Sequence, residues 1–334
     1  MKKALLCAAL LAASMTHAAP LEWRGISLSS AEWGDKLPFP GVYGKDFVYP
    51  SVASTAYYQA QGMNVMRVGF RWERLQPVLM GELDPAELAR LREFVNGTTA
   101  RGLFVLLDPH NYAAYKDVSI GKPEVPIAAF ADFWQRLALQ FKGNAKVQFG
   151  LVNEPRNLPT ETWGQAAQAA IDAIRATGAT NLITVPGNGY TGAWSWFEST
   201  WYGTPNAEVM GKVHDPLDNM VFEVHQYFDK DGSGTAPECV SPQIGVERLK
   251  RFTAWLKQNK RRAILGELGG GANAVCEQAV NGALQHLQAN ADVWAGWLWW
   301  AGGPMWGDYF LSLEPTADGK DRPQMRWLKP YLKD

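Results

Sequence analysis

The chain has 334 residues and a formal charge of −1, from 32 basic and 33 acidic side chains. This balance excludes a basic field for nucleic acid and a polybasic membrane patch, so we expect a neutral or small partner. Fifteen Trp and eleven Tyr residues are an unusual number of large rings. An aromatic-rich core accounts for about half of them, and the rest suit a flat apolar ligand such as a sugar face.

The N-terminus has the pattern of a secretory signal peptide. Lys2 and Lys3 precede an apolar run, and small residues follow it. The run is shorter than the roughly 20 residues that a membrane span needs. We therefore predict a signal peptide over residues 1–19, with cleavage near Ala18 or Ala19. The mature protein is expected to be secreted, either to the extracellular medium or to the periplasm.

Apolar runs rich in β-branched residues alternate with amphipathic segments through the rest of the chain. This alternation is typical of repeated βα units. The predicted strands are Trp23–Leu28, Asn64–Gly69, Leu103–Leu107, Val147–Val152, Leu182–Val185, Met220–Val224, Ala263–Leu265 and Ala295–Trp299. Eight strands with helices between them predict an α/β fold, a closed (β/α)8 TIM barrel that forms a single domain over residues 20–334.

The intervening segments carry helix signals. Asp84 is an acidic N-cap followed by Pro85, and apolar residues then recur every three or four positions. The predicted helices are Asp84–Ala100, Val125–Phe141, Thr160–Ala176, Gly245–Gln258 and Cys276–Ala289. The fifth crossover, after Tyr190, is less regular.

Two cysteines, Cys239 and Cys276, remain once the signal peptide is removed. In an oxidising compartment they can pair with each other, which would close a loop worth roughly 3 to 4 kcal/mol of stability. Metal binding is the weaker alternative, because neither cysteine has a second thiol or a suitably spaced His nearby.

Polar or aromatic side chains lie at or just beyond the ends of several predicted strands. In TIM barrels the functional groups lie at the C-terminal ends of the strands. The residues in question are Arg67, His110, Asn111, Asn153, Glu154, His225, Tyr227, Glu267 and Trp300. A single strand-end His is usually structural and a single Glu is usually a rim charge, but their joint appearance favours a catalytic site. We expect the nearby acids Glu73, Glu223 and Glu314 to be structural or rim residues.

At these positions, Asn111 excepted, the chain resembles glycoside hydrolase family 5 along nearly all of its mature length. The residue types match those of the family in order, and Asn153–Pro155 gives its Asn-Glu-Pro triplet. Further similarity to the endoglucanase subgroup lies in Gly25–Gly34, Pro186–Trp194 and Trp299–Pro304. The resemblance implies a retaining barrel enzyme whose two catalytic glutamates end the fourth and seventh strands.

The resemblance assigns Glu154 as general acid and base and Glu267 as nucleophile. A retaining enzyme needs these carboxyl groups about 5 to 5.5 Å apart, so that one attacks the anomeric carbon while the other protonates the leaving oxygen. The anionic Glu267 would help the acid to keep its proton, and esterification of Glu267 would then release that proton.

Supporting roles follow from the same resemblance. Arg67 and Tyr227 would donate to the nucleophile, and Asn153 would bind the sugar 2-hydroxyl. His110 and His225 would bind or orient hydroxyls, with bracing of the glutamates as the alternative.

Aromatic platforms are also implied. Trp300 would stack under the sugar on the non-reducing side of the cleavage point. Trp33, Trp194 and Trp306 are candidates for further platforms, with rim packing as the alternative.

The predicted function is a secreted endo-β-1,4-glucanase that acts as a monomer on β-glucan without metal or cofactor. The alternatives are an endo-β-1,4-mannanase or another β-glucanase of the same family, using the same residues, and a catalytically inactive carbohydrate-binding barrel. Gly269–Gly271 lacks a nucleotide-binding pattern, and no Ser lies in a Gly-x-Ser-x-Gly elbow.

Overall fold

The computed structural model describes residues 21–34, 39–198 and 202–332, so the predicted signal peptide lies outside the described residues. The barrel strands are β1 Trp23–Leu28, β2 Val65–Phe70, β3 Phe104–Pro109, β4 Val147–Gly150, β5 Ile183–Pro186, β6 Met220–His225, β7 Ala263–Leu268 and β8 Trp294–Gly302. They are parallel and pair in chain order, and β8 pairs with β1 to close the barrel. The predicted single-domain TIM barrel is confirmed.

Helices follow the strands and cover the barrel. In the described ranges they are α1 Thr55–Gln61, α2 Pro85–Ala100, α3 Ile127–Phe141, α4 Thr160–Ala176, α5 Asn206–Val209, α6 Ile244–Asn259, α7 Ala274–Ala289 and α8 Pro323–Leu328. Shorter elements are a helical turn at Trp72–Leu75, 3₁₀ turns at Met210–Lys212 and Lys329–Tyr331, and a ribbon of Ala114–Tyr115 with Val118–Ser119. Asp84 caps α2 by accepting from the Glu87 backbone N–H at 2.8 Å, as its sequence predicts. The irregular fifth crossover contains the short α5.

Two strands differ from prediction in ways that affect the site. β4 ends at Gly150, before the predicted Val152, and the chain turns at Glu154, whose φ is 42°. β7 continues beyond the predicted Leu265 to Leu268. Its pairing with β6 shifts at Gly266, so that Glu267 lies opposite His225. Such an extra residue re-aims a side chain at a strand end.

The core has two parts, inside the barrel and between the strands and helices. The interior cluster comprises Trp23, Val65, Leu106, Val221, Ile264, Ala295 and Leu298. Seven Trp side chains of the described ranges are less than 2% exposed, so core packing accounts for about half of the fifteen Trp residues. The apolar faces of the helices pack on the strands. In the same ranges we find no helix long and apolar enough to cross a membrane.

The loop after β6 is fixed by hydrogen bonds near one end and by a disulfide at the other. The carboxylate of Asp229 accepts backbone N–H groups from Gly234 and Thr235, each at 3.1 Å. At the far end Cys239 forms a disulfide with Cys276 at the start of α7, with the Cα atoms 5.2 Å apart. The predicted disulfide is therefore confirmed, and the alternative of metal binding by these cysteines is wrong.

Candidate active site

The C-terminal end of the barrel gathers the strand-end residues into one buried cluster. Arg67 reaches up from β2, Glu267 from β7 and His225 from the end of β6. Glu154 follows β4, and Tyr227 lies two residues beyond β6. Because parallel strands end at the same rim, residues far apart in sequence meet there.

Glu267 is held by donors from three directions. Nη1 of Arg67 donates to its Oε1 at 2.8 Å, and the Tyr227 hydroxyl donates to its Oε2 at 2.6 Å. Nδ1 of His225 lies 3.4 Å from the same Oε2. Burial raises the pKa of Glu267, and the charges of His225 and Arg67 oppose that rise. These donors stabilise the ionised carboxylate.

The side chain of Glu154 is more exposed to solvent than that of Glu267. Its Oε1 lies 2.8 Å from Nδ1 of His225, and its side chain is 18% exposed, against 5% for that of Glu267. The backbone at Glu154 has a φ of 42°, in the left-handed region that non-glycine residues seldom adopt. This conformation turns the chain after Asn153, whose N–H bonds to the Pro109 carbonyl at 2.9 Å.

The two carboxylates are close to each other and to His225. One carboxylate oxygen of Glu154, one of Glu267 and a ring nitrogen of His225 all lie within 4.8 Å of one another. Three such groups can also hold a metal ion. A cation here would lie beside the guanidinium of Arg67, which is 2.8 Å from Glu267, so the local charge favours an acid-base pair over a metal centre.

A second chain of contacts fixes Asn153. Nη2 of Arg67 donates to its Oδ1 at 2.6 Å, and its Nδ2 lies 3.0 Å from Nε2 of His110. Nδ1 of His110 lies 2.8 Å from the carboxylate of Asp108. An amide nitrogen donates, so Nε2 of His110 accepts and its proton is on Nδ1. His110 therefore braces Asn153 in this structure.

Aromatic rings lie on the side of the cluster formed by β8 and β1. Trp300 stacks on His110 with ring centroids 5.6 Å apart. Trp306 meets Trp300 and Trp33 edge-on, at 5.8 and 4.8 Å, and stacks on Tyr309 at 4.3 Å. We call Trp33, Trp300, Trp306 and Tyr309 the aromatic wall.

A cleft of about 670 Å³ opens on the opposite side, next to Glu154. Trp194 lies along it, 44% exposed, with the Arg248 guanidinium 4.8 Å from its ring. Arg156 and Tyr190 also line the cleft, as do His225 and Tyr227. Trp194 therefore lies apart from the aromatic wall, across the carboxylates.

Asn111 faces away from the cluster. It is buried, its Oδ1 accepts from the Trp72 backbone N–H at 2.8 Å, and its Nδ2 donates to Glu73. Adjacent residues at a strand end point to opposite sides, so Asn111 diverges from His110. Protein groups occupy both ends of its amide, which gives it a bracing position.

A layer of buried polar residues lies beneath the cluster. Sequence reasoning missed Asp108 and predicted Glu223 as a structural or rim residue. Asp108 lies 3.2 Å from Nη1 of Arg67, and Glu223 lies 3.2 Å from its Nε. Glu223 is 3% exposed and is not a rim residue. The signal that was available is spacing, because Asp108 and Glu223 each precede a site histidine by two residues and so share its face of the strand.

Comparisons with known proteins agree with this geometry. The family model described as Cellulase (glycosyl hydrolase family 5) matches residues 15–303. Endoglucanase 3 of Humicola insolens is 46% identical over 298 residues, covering 89% of this chain and 74% of that protein. The solved structure of XacCel5A in complex with cellopentaose has a TM-score of 0.91 and 46% identity, covering 93% of this chain and 99% of that one. The endo-beta-1,4-glucanase Xac0029 from Xanthomonas axonopodis pv. citri also has a TM-score of 0.91, with 47% identity over 93% of this chain and 98% of that one. By both sequence and structure, the chain belongs to glycosyl hydrolase family 5.

Proposed function

We propose that the protein is a retaining endo-β-1,4-glucanase in which Glu154 is the general acid and base and Glu267 is the nucleophile. The observation that carries this proposal is the approach of their carboxylate oxygens to within 4.8 Å. Retaining enzymes separate these groups by about 5 to 5.5 Å, whereas inverting enzymes leave about 6.5 to 9.5 Å for a water molecule. The endoglucanase names of the relatives support the substrate class.

In the first step, an oxygen of Glu267 attacks the anomeric carbon as the bond to the leaving oxygen breaks. Glu154 gives its proton to that oxygen, and a covalent glycosyl ester forms on Glu267. In the second step Glu154 takes a proton from water, whose oxygen attacks the anomeric carbon and displaces Glu267. Arg67 and Tyr227 stabilise Glu267 as an anion before the first step and after the second.

The neighbouring residues orient the sugar in this scheme. Asn153 has a second Nδ2 hydrogen beyond the one that faces His110, and we assign it to the sugar 2-hydroxyl. Trp300 would carry the sugar on the non-reducing side of the cleavage point, with Trp33 and Trp306 extending the aromatic wall. Trp194 would carry the leaving-group side, because it lies along the cleft next to Glu154.

The alternatives have less support. The relatives named above are endoglucanases, which does not favour a mannanase. An inactive binding barrel would not need both carboxylates in contact with His225, at 2.8 and 3.4 Å. A metal-dependent reaction is disfavoured by the Arg67 charge, and we expect a chelator such as EDTA to leave the rate unchanged.

Export and a monomeric state complete the proposal. The N-terminal lysines, the apolar run and the oxidised cysteine pair support export through a cleaved signal peptide. Every proposed catalytic group comes from one chain, which supports activity as a monomer. Mass spectrometry of protein from the culture medium and its size in solution would test both statements. A retained segment 1–19, or activity confined to an oligomer, would contradict them.

Hydrolysis of carboxymethyl-cellulose tests the proposal. We expect the wild type to be active, and Glu154→Gln and Glu267→Gln to lose more than about 10³-fold while remaining folded by circular dichroism. The control is Glu93→Gln, an exposed carboxylate on α2. A wild type that cuts mannan but not this glucan would refute the substrate class, and first release of the α-anomer by NMR would refute retention.

A further inference from the structure

Glu223 is a buried carboxylate of β6 that the proposed reaction does not use. The Thr184 hydroxyl donates to its Oε2, and its Oε1 lies 3.2 Å from Nε of Arg67 and 3.3 Å from Nε2 of His225. A Cβ atom at position 266 would come within 2.5 Å of Oε1 of Glu223, so Gly266 leaves the space that this carboxylate fills. The fold therefore accommodates a charge directly beneath the reactive pair.

Carboxylates approach the His225 ring at both nitrogens. Nδ1 lies 2.8 Å from Glu154 and 3.4 Å from Glu267, while Nε2 lies 3.3 Å from Glu223. A neutral imidazole has one N–H, so one of its nitrogens would turn a lone pair toward a carboxylate. The imidazolium has two N–H groups, and it satisfies both sides. Burial opposes this charge, but Glu267, Glu154 and Glu223 together raise the pKa of His225 to about 10.

The charged and titratable groups around His225 come from several strand ends. They belong to Arg67 on β2, Asp108 and His110 at the end of β3, Glu154 after β4, Glu223 on β6 itself, Tyr227 beyond it and Glu267 on β7. Arg67 pairs with Asp108 and Glu267, at 3.2 and 2.8 Å, and also with Glu223 at 3.2 Å. Glu223 is the carboxylate that contacts Nε2 of His225, on the side of the ring away from the reactive pair. Removing its charge would remove the partner of that N–H.

We propose that Glu223 is a positioning residue that keeps His225 in the imidazolium form, with its Nδ1–H available to both reactive glutamates. The catalytic consequence rests on the proposed function. While Glu267 is an anion, the imidazolium stabilises it. When Glu267 becomes an ester its charge disappears, and the same Nδ1–H then stabilises Glu154 as that residue gives up its proton. Glu223 thus supports the change in the role of Glu154 between the two steps without touching substrate.

The test is the titration of the His225 ring in Glu223→Gln, followed by ¹⁵N NMR. The wild-type ring should stay doubly protonated well above neutral pH, and loss of its signals in His225→Asn identifies them. In Glu223→Gln we expect the midpoint to fall by about 1 to 3 pH units, because one opposite charge is removed. We also expect kcat on a soluble β-glucan to fall roughly tenfold or more with little change in KM.

Glu87→Gln is the matched control, since Glu87 on α2 is another buried carboxylate. It pairs with Arg90 at 2.7 Å and accepts from the Tyr49 hydroxyl at 3.0 Å. The control variant should leave the His225 midpoint and kcat unchanged. A folded Glu223→Gln whose His225 midpoint equals that of the wild type would overturn the proposal, even if kcat fell, and so would an unchanged kcat. If Glu223→Gln does not fold, Glu223→Asp replaces it, because this variant moves the carboxylate away from His225 by one methylene. An unchanged midpoint of the His225 titration in Glu223→Asp would equally refute the inference.

The two proposals fail separately. A wild type inactive on β-glucan refutes the proposed function and leaves the His225 titration intact. An unmoved titration in an enzyme that hydrolyses β-glucan refutes the role of Glu223 alone.

Discussion

The ends of β4 and β7 carry the same functional group in contrasting surroundings. Glu267, on β7, is buried and accepts from Arg67 and Tyr227 at 2.8 and 2.6 Å. Glu154, after β4, sits on a left-handed turn, is 18% exposed at the side chain and has His225 as its charged partner at 2.8 Å. A carboxylate that must stay ionised gains from fixed donors, whereas one that exchanges a proton twice must reach both the leaving oxygen and water. The surroundings therefore match the proposed division of roles.

The roles of the two carboxylates can be separated with an aryl cellobioside whose leaving group needs no proton. We expect Glu267→Gln to lose more than about 10³-fold of its rate on this substrate, because no covalent intermediate can form. We expect Glu154→Gln to keep the first step, seen as a burst of phenolate, and azide to speed its second step because azide needs no general base. Azide rescue of Glu267→Gln with the same product stereochemistry would show that the assignment is reversed.

The disulfide anchors the loop on the β7 side of the site, and its removal tests how much it contributes to the free energy of unfolding. Cys239 and Cys276 join the loop that follows Tyr227 to the start of α7. Replacing both by Ser should lower the free energy of unfolding by about 3 to 4 kcal/mol, because the unfolded chain regains the freedom of the open loop. Urea unfolding measures this, and a loss below about 1 kcal/mol would show that the bond does not constrain the unfolded chain as expected. The reduced wild type should match the double variant.

Tyr227→Phe removes one donor from Glu267 and leaves the ring in place. A hydrogen bond to a charged group contributes about 1.5 to 3 kcal/mol, so kcat/KM should fall roughly 10- to 100-fold. Steady-state kinetics on soluble β-glucan measure it. Tyr331→Phe, whose hydroxyl bonds to the Asn281 carbonyl at 3.3 Å, is the control and should be near wild type. Equal rates for the wild type and Tyr227→Phe would show that this bond does not matter to the nucleophile.

Features of the fold and the site that depend on neighbouring residues in sequence can be predicted, whereas those that depend on tertiary packing cannot. The strands and the Asp84 cap follow from nearby residues, so their prediction succeeded to within a few positions. At Gly266 the register shifts so that Glu267 lies opposite His225, and the missing Cβ leaves space for the Glu223 side chain from a neighbouring strand. Tertiary packing of this kind leaves no local pattern. For the same reason the sequence did not indicate that the Asn111 amide turns toward Trp72 and Glu73.

The smallest expected effect concerns the cleft beside Glu154. Trp194→Ala removes a ring that is 44% exposed, without changing either carboxylate. Aromatic stacking contributes about 0.5 to 1.5 kcal/mol, so KM should rise roughly 2- to 12-fold with kcat little changed. Kinetics on cello-oligosaccharides measure this. An unchanged KM would place the leaving-group sugar elsewhere in the cleft.

The role of Glu267 as nucleophile is tested by trapping the covalent intermediate with a 2-deoxy-2-fluoro cellobioside that carries a good leaving group. Fluorine at C2 slows both steps, and the activated leaving group restores the first, so the glycosyl enzyme accumulates. After proteolysis, mass spectrometry should locate one fluorinated sugar on the peptide that contains Glu267. A label on Glu154 or on any other residue would contradict the assignment of Glu267 as nucleophile. Release of one leaving group per enzyme without a labelled peptide would contradict it as well.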